Sequence, residues 1–219
     1  MKLIQPGIEI INAPDYTAML EKIERIGRVC YKSEGKIKDG SAEEFIRGII
    51  KRGHGSVIEH ESISVKVICD RGVSHEIVRH RIASYSQEST RYCNYSDDKF
   101  NGEITVIEPC FLEKGTDGWE SWFTGCLCAE KAYFDMLEWG CTPQEARSVL
   151  PNSLKTEIVM TMNLREWRHF LKLRTSPAAH PQMREVANMI AAEFAERYPV
   201  FFADWEVDHG QVRESKEVF

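Results

Sequence analysis

The hydrophobic pattern of this chain changes period repeatedly and in no regular order, and that constrains its fold more than any other feature. Ile63, Val65, Val67 and Cys69 alternate with Ser64, Lys66 and Ile68, the pattern of a strand with one mostly apolar face. On either side the period lengthens to that of a helix. Met19, Ile23, Ile26 and Cys30 predict an amphipathic helix over about 15–31, and Val73, Ile77 and Val78 the buried side of another over 73–82. Between them, Ser41 and Glu44 form a capping box for a further helix that Gly53 can close. Beyond them, Ile104 to Pro109 predicts a strand, and Trp119, Phe123, Cys126, Leu127, Glu130, Phe134 and Leu137 the longest helical face, ended by Gly140. Thr142 and Glu145 bracket Pro143 as the cap of a short helix that carries Arg147 and stops before Pro151. A strand over 154–162 follows from Leu154, Ile158, Met160 and Met162, with Thr156 and Thr161 fitting the β preference. Asn163 and Glu166 then cap a helix over 164–174, and Met183, Val186, Ala187, Ile190 and Phe194 mark a last one to about 198. Helices and strands mixed without strict βαβ alternation predict an α+β fold, loosely α/β. At 219 residues without repeat, low-complexity tract or linker, one domain over 1–219 is expected.

With 42% hydrophobic and 28% charged residues the composition is that of a globular chain, and no stretch approaches the roughly 20 apolar residues a membrane span needs. The apolar run before Pro6 is too short for a secretory signal, so a cytoplasmic location is expected. Seven cysteines at irregular spacings fit reduced thiols. Cys126 and Cys128 suggest metal at first sight, but two residues apart on a helix they diverge by about 200°, which favours packing. A net charge of −6 argues against a general nucleic-acid binder. Positive charge is instead local, in Arg79, Arg81 and Arg91 and in Arg165, Arg168, Lys172 and Arg174, which suggests a concentrated anion pocket.

The first of these clusters is the run Arg79-His80-Arg81-Ile82-Ala83-Ser84-Tyr85-Ser86-Gln87-Glu88-Ser89-Thr90-Arg91. Planar guanidinium donors and short hydroxyls suit phosphate or carboxylate, although a solvated basic surface has the same composition. Neither G-x-G-x-x-G nor a Walker-type loop is present, so any nucleotide is held by side chains. His75-Glu76 followed by His80 misses the zinc helix, because the second histidine comes five residues on and Arg79 stands in the ligand position. His54 lies between Gly53 and Gly55, whose missing side chains would let a flat ligand come close. Arg165 and His169 share one helical face while Arg174 lies about 140° round from His169, so one helix could serve two parts of a pocket. A competing reading is an RNA-binding module, with these arginines on phosphates and Tyr85, Tyr92 and Tyr95 stacking bases. Another is a different flavin or nucleotide oxidoreductase.

Arg79-His80-Arg81, seven intervening residues and Ser89, continued by Arg91-Tyr92, resembles the signature of the flavin-dependent thymidylate synthases. His54 with Glu59-His60, Arg147-Ser-Val-Leu-Pro151, and Asn163-Leu164-Arg165 with His169 and Leu173-Arg174 follow in that family's order. The resemblance implies a single domain of that type, with helices around a largely antiparallel sheet. It also implies a homotetramer with shared active sites that binds FAD and deoxyuridine monophosphate, uses NADPH as reductant and methylenetetrahydrofolate as carbon donor, and holds no metal. By the same resemblance, His54, Ser56, Arg79, His80, Arg81, Gln87, Asn163, Leu164, Arg165 and His169 contact the flavin. Glu76, Arg79, Gln87, Glu88, Ser89, Thr90, Arg91, Arg147 and Arg174 contact the nucleotide, and Arg174 acts as the catalytic residue. Glu76 and Ser86-Gln87 depart from the family's usual residues, and Glu76 is expected to face the sugar or bridge to an arginine. Ser89 lacks an obvious activating base, which favours a binding and orienting role over covalent attack.

Overall fold

A computed structural model of the chain describes residues 1–11, 13–208 and 211–214, with the side chains of 99, 206–208 and 211–214 left aside. It opens with strands β1 (Lys2–Ile4) and β2 (Gly7–Ile11) and helices α1 (Tyr16–Val29) and α2 (Ser41–Lys51). A 3-10 turn over Gly55–His60 leads into β3 (Ser62–Asp70), α3 (Arg71–Ile77), β4 (Ser84–Gln87) and β5 (Thr105–Ile107). Then come α4 (Asp117–Glu138), α5 (Pro143–Ala146), β6 (Lys155–Asn163), α6 (Leu164–Arg174), α7 (Pro181–Arg197) and α8 (Pro199–Phe202). Strands β7 (Trp205–Asp208) and β8 (Gln211–Glu214) form an antiparallel pair.

The expected α+β class holds, with helices around a mainly antiparallel four-stranded sheet in the order β2-β3-β6-β4. The register of its central pair can be read from two bonds. Ser64 Oγ lies 2.7 Å from Thr161 Oγ1, and the Arg71 N–H donates to Leu154 O at 3.1 Å. Numbers that rise along β3 fall along β6, so the pair is antiparallel. Along β3 the residues Ile63, Val65, Val67 and Cys69 are all buried, as their alternation predicts.

The residues cluster into two compact units. The first comprises Met1–Gly7, Lys66–Arg79 and Tyr85–Val159; the second comprises Ile8–Val65, His80–Ser84 and Met160–Phe219. In the first, β1 pairs in parallel with β5, and Tyr95, Ile104, Val106, Cys126, Tyr133, Ala146 and Leu154 form the core beneath α4. In the second, Phe194 packs against Trp167 and Phe202, with ring centroids 5.0 Å and 4.9 Å away, and Ile23, Ile46 and Ile49 of α1 and α2 are fully buried. Each of these fully buried side chains contributes roughly 1.5–3 kcal/mol of transfer free energy.

Several local expectations change. Ser41 is the first residue of α2 rather than its cap: Gly40, at φ 73°, occupies that place, and the Ser41 hydroxyl reaches both Glu24 carboxylate oxygens at 2.8 and 2.9 Å. Glu24 also accepts from Arg28 Nη2 at 2.6 Å, giving α1 a buried charged cluster where Ile26 and Cys30 were expected to complete an apolar stripe. Cys30 is exposed. Helix α3 ends at Ile77, five residues early, leaving Val78 42% exposed. In α4 only Trp119, Cys126 and Tyr133 are buried, and Leu127 faces out. The Thr142–Glu145 box forms, with Glu145 Oε2 accepting from the Thr142 N–H at 2.8 Å. No described helix is long and apolar enough to cross a membrane.

Candidate active site

In the first unit Glu76 stands in the last turn of α3 and Arg79 just past its end, and β4 ends at Gln87, with Glu88 to Arg91 following it. Gln87 Nε2 donates to Ser74 Oγ at 3.0 Å and Thr156 Oγ1 at 3.2 Å, which fixes its amide plane. The Glu88 N–H donates to Glu157 O at 2.8 Å, carrying the β6 pairing one residue beyond β4. Its carboxylate accepts from Lys155 Nζ at 3.0 Å, so a charge that would repel a phosphate is already neutralised. Lys155 is raised against the opposing effect of its burial by bonds from Glu157 and Glu88. Beyond it, Ser89 opens a turn: its carbonyl accepts from Tyr92 and Cys93, and its Oγ accepts from the Arg91 N–H at 3.3 Å. That partner is a donor rather than a base, and the only described histidine in this unit is His75.

Two cations are braced around that turn. Arg147, just past α5, donates from Nη1 to the buried Thr90 Oγ1 at 3.3 Å, and Arg91 donates from Nε to Gln144 Oε1 at 3.1 Å. Arg147, Arg91 and Arg79 are exposed. This unit therefore collects Glu76, Arg79, Gln87, Glu88, Ser89, Thr90, Arg91 and Arg147, all of the expected nucleotide set except Arg174. Sequence reading missed the bracing partners Ser74, Gln144, Lys155 and Thr156. Gln144 sits within the capping box that was read, and nothing in the sequence signals the other three.

The second unit collects His54, Ser56, His80, Arg81, Asn163, Leu164, Arg165, His169 and Arg174. Gly53, at φ 70°, closes α2, and the N–H groups of Gly53 and His54 reach back to Ile50 O and Ile49 O. His54 Nδ1 lies 3.3 Å from Tyr31 Oη, with the two rings stacked. Gly55 does leave room for a flat group, but the protein uses it: a Cβ there would stand 3.1 Å from Cδ and Nε of Arg165. Arg165 crosses this glycine to pair with Glu59 at 2.5 Å. Asn163 Oδ1 accepts from the Glu166 N–H at 2.9 Å and caps α6. Leu164 is fully buried, with its N–H donated to Glu61 O at 3.0 Å, so it offers a neighbour no side chain.

The second basic cluster does not act as one. Arg168 grips both carboxylate oxygens of Asp204 and the Phe201 carbonyl, and its guanidinium lies over the Trp205 ring at 5.1 Å. It is a structural cation that anchors α8 to α6.

Arg174 and His80 meet instead. Arg174 Nε donates to His80 Nε2 at 3.0 Å, and His80 Nδ1 lies 3.3 Å from Glu166 Oε1. The His80 ring is buried, with its edge toward Phe170 at 4.9 Å and His169 at 6.0 Å. Burial lowers its pKa below the ordinary histidine value; the Glu166 hydrogen bond opposes this, and the Arg174 cation adds to it. Donor atoms of His80, Glu166 and His169 lie within 4.8 Å of one another, a spacing that could suit a cation. The Arg174 donor occupies the His80 Nε2 lone pair, however, and its positive charge repels a second cation, so the cluster reads as a hydrogen-bonded chain.

The family model for thymidylate synthase complementing protein matches residues 14–200. The flavin-dependent thymidylate synthase of Pyrococcus abyssi is 36% identical over 163 residues, covering 74% of this chain and 66% of that protein. The chain thus spans just under two thirds of that relative. The enzyme of the same name from a Mycobacterium species (strain JLS) is 36% identical over 208 residues, covering 84% and 79%. Among solved structures, the UMP/dUMP methylase PolB of Streptomyces cacaoi, bound with 5-Br dUMP, superposes with a TM-score of 0.75 at 24% identity, over 93% of this chain and 96% of that one. That likeness shows the fold. With the family match over most of its length and these relatives at 36% identity, the chain belongs to the thymidylate synthase complementing protein family, that of the flavin-dependent thymidylate synthases.

Proposed function

We propose that this protein converts deoxyuridine monophosphate to deoxythymidine monophosphate in the cytoplasm, with methylenetetrahydrofolate as carbon donor and NADPH as reductant through bound FAD. In this reading it works as a homotetramer with shared sites. One observation carries the proposal: the cations and hydroxyls of the signature turn are braced by neighbouring side chains rather than left as loose surface. Arg147 is held on Thr90 and Arg91 on Gln144, beside Ser89. A dianionic phosphate takes two or more fixed guanidinium groups with short hydroxyl donors between them.

The donor set also suits FAD. Arg79, Arg81 and Arg165 are exposed cations of the kind a pyrophosphate takes, and exposed His169 adds a ring. Open space surrounds the missing Cβ of Gly53 beside His54. When bound, FAD supplies the hydride chemistry that no side chain can perform. The chain's own residues bind, orient and stabilise charge. Arg174, near the uracil edge, stabilises the negative charge that develops as carbon 5 becomes nucleophilic. Ser89 orients the nucleotide, and its donor partner Arg91 supports that role.

The whole chain acts as one catalytic domain in this proposal. It crosses between the two units five times, after residues 7, 65, 79, 84 and 159, so neither unit is a continuous segment that could serve alone. The test is tritium release from carbon 5 of labelled deoxyuridine monophosphate, with FAD, NADPH and methylenetetrahydrofolate supplied. Release that requires all three supports the proposal. A folded, flavin-loaded protein that releases none overturns it.

A further inference from the structure

We propose that Glu166 is a positioning residue for this reaction, acting through His80 to hold the Arg174 guanidinium in one orientation. The inference rests on the function proposed above. An arginine side chain has donors and no acceptor, so the 3.0 Å contact of Arg174 Nε with His80 Nε2 requires a lone pair on that nitrogen. A neutral imidazole then carries its proton on Nδ1, the atom 3.3 Å from Glu166 Oε1, which accepts it. Every link has one polarity, from Arg174 to His80 to Glu166. Moving the proton to Nε2 sets two donors against each other and releases the guanidinium. The carboxylate at 166 is what makes the productive tautomer the stable one.

The helix explains why such a relay is needed. Glu166, Phe170 and Arg174 stand four residues apart on α6, and so share one face on successive turns. Glu166 and Arg174 are about 12 Å apart along the axis, too far for direct contact. His80 spans that distance, with Phe170 at its ring edge restricting rotation. Arg174 is the last residue of α6, where backbone restraint is weakest, and a planar guanidinium fixed at Nε has its plane fixed as well. Glu166 is itself held at the other end, in the first turn, by the Asn163 cap on its N–H. The relay therefore ties the last residue of the helix to its capped first turn.

The test compares Glu166→Leu, Glu166→Gln, Arg174→Ala and the Glu166→Leu/Arg174→Ala pair in the flavin-loaded protein. Flavin content, kcat and KM for carbon 5 tritium release, and the ¹⁵N spectrum of labelled histidine are the readouts. Glu166→Leu should lower kcat by about 10–100-fold, the usual effect of losing an outer partner that orients a functional group. The fall in kcat should exceed any rise in KM for the nucleotide and any loss of flavin content. Glu166→Gln, whose amide oxygen can still accept from Nδ1–H, should recover most of the lost kcat. The double variant should be no slower than Arg174→Ala, because both changes remove the same contribution. His80 should carry its proton on Nδ1 in the parent and on Nε2 in Glu166→Leu. Unchanged kcat in Glu166→Leu, multiplicative loss in the double variant, or an Nε2–H tautomer in the parent would each overturn the inference. If Glu166→Leu fails to fold, Glu166→Gln decides: retained Nδ1–H with retained kcat upholds the relay, and Nε2–H with full kcat refutes it. Absence of tritium release from the parent would instead sink the proposed function, while the parent's histidine spectrum would still report on the link to Glu166.

Discussion

His80 is the residue on which acid sensitivity should centre. Its pKa lies below the ordinary value because its ring is buried and faces the Arg174 cation, against the pull of the Glu166 hydrogen bond. In the unfolded chain the ring takes up its proton near pH 6.5, whereas in the folded chain it takes it up only at lower pH. Between those two points the unfolded state binds more protons, so stability rises with pH across that window and is complete above about 6.5. As pH falls through the folded-state value this contribution is lost, and the Arg174 bond with it. Thermal unfolding of the parent and of His80→Asn should therefore diverge below about pH 6.5, the parent having the steeper acid limb. The difference in slope cannot exceed about 1.4 kcal/mol per pH unit, the value for one proton. Parallel acid limbs would show that His80 does not titrate in this way.

At the scale of elements, the buried cluster of α1 and α2 is the most exposed to single substitutions. Glu24 accepts from Arg28 and Ser41, and the Arg28 guanidinium lies 4.5 Å from the centre of the Phe45 ring. Glu24→Ala leaves a buried cation without its counter-charge and should cost about 3–5 kcal/mol in denaturant unfolding. Glu24→Gln, which keeps an acceptor, should cost clearly less. This cluster also shows where sequence reading stops. A serine three residues before a glutamate has the pattern of a capping box, and at Thr142–Glu145 the pattern forms as read. At Ser41 the hydroxyl is taken by a carboxylate 17 residues back, a tertiary contact that no local pattern encodes. The same division holds elsewhere. β3, β6 and the Asn163 cap were legible because alternation and capping are local. β5, at Thr105–Ile107, lies within the strand read from Ile104 to Pro109, whereas three-residue β1 is too short to show a period, and its parallel pairing with β5 joins positions about a hundred residues apart. In the site, the residue types pointed to anion binding, but the basic cluster of α6 divided, with Arg168 going to Asp204 and Arg174 to His80, because partners rather than composition decide what a cation does.

Across the whole molecule, the cysteines report on how its first unit opens. Cys69 and Cys126 are buried, and burial pushes both thiols up, away from the reactive thiolate form. Cys30 and Cys128 are exposed. Cys110 is exposed as well, so a chromogenic thiol reagent should modify Cys30, Cys110 and Cys128 at once in native protein. Cys69 and Cys126, both in the first unit, should react only as that unit opens, and at a common rate. Two widely different slow rates would mean that the unit opens in parts. The interleaving of the units also sets a timetable for synthesis. β1 cannot pair until Thr105–Ile107 has been made, and the aromatic core of the second unit waits for Trp167, Phe194 and Phe202. At about 5–20 residues per second, the hundred residues between β1 and β5 alone keep the nascent chain unpaired for roughly 5–20 s. The apolar face of β3, Ser62–Asp70, is translated in the second half of that interval and has no β6 beside it until Lys155–Asn163 is made, which presents a hydrophobic segment to the holding chaperones that meet polypeptides at the ribosome.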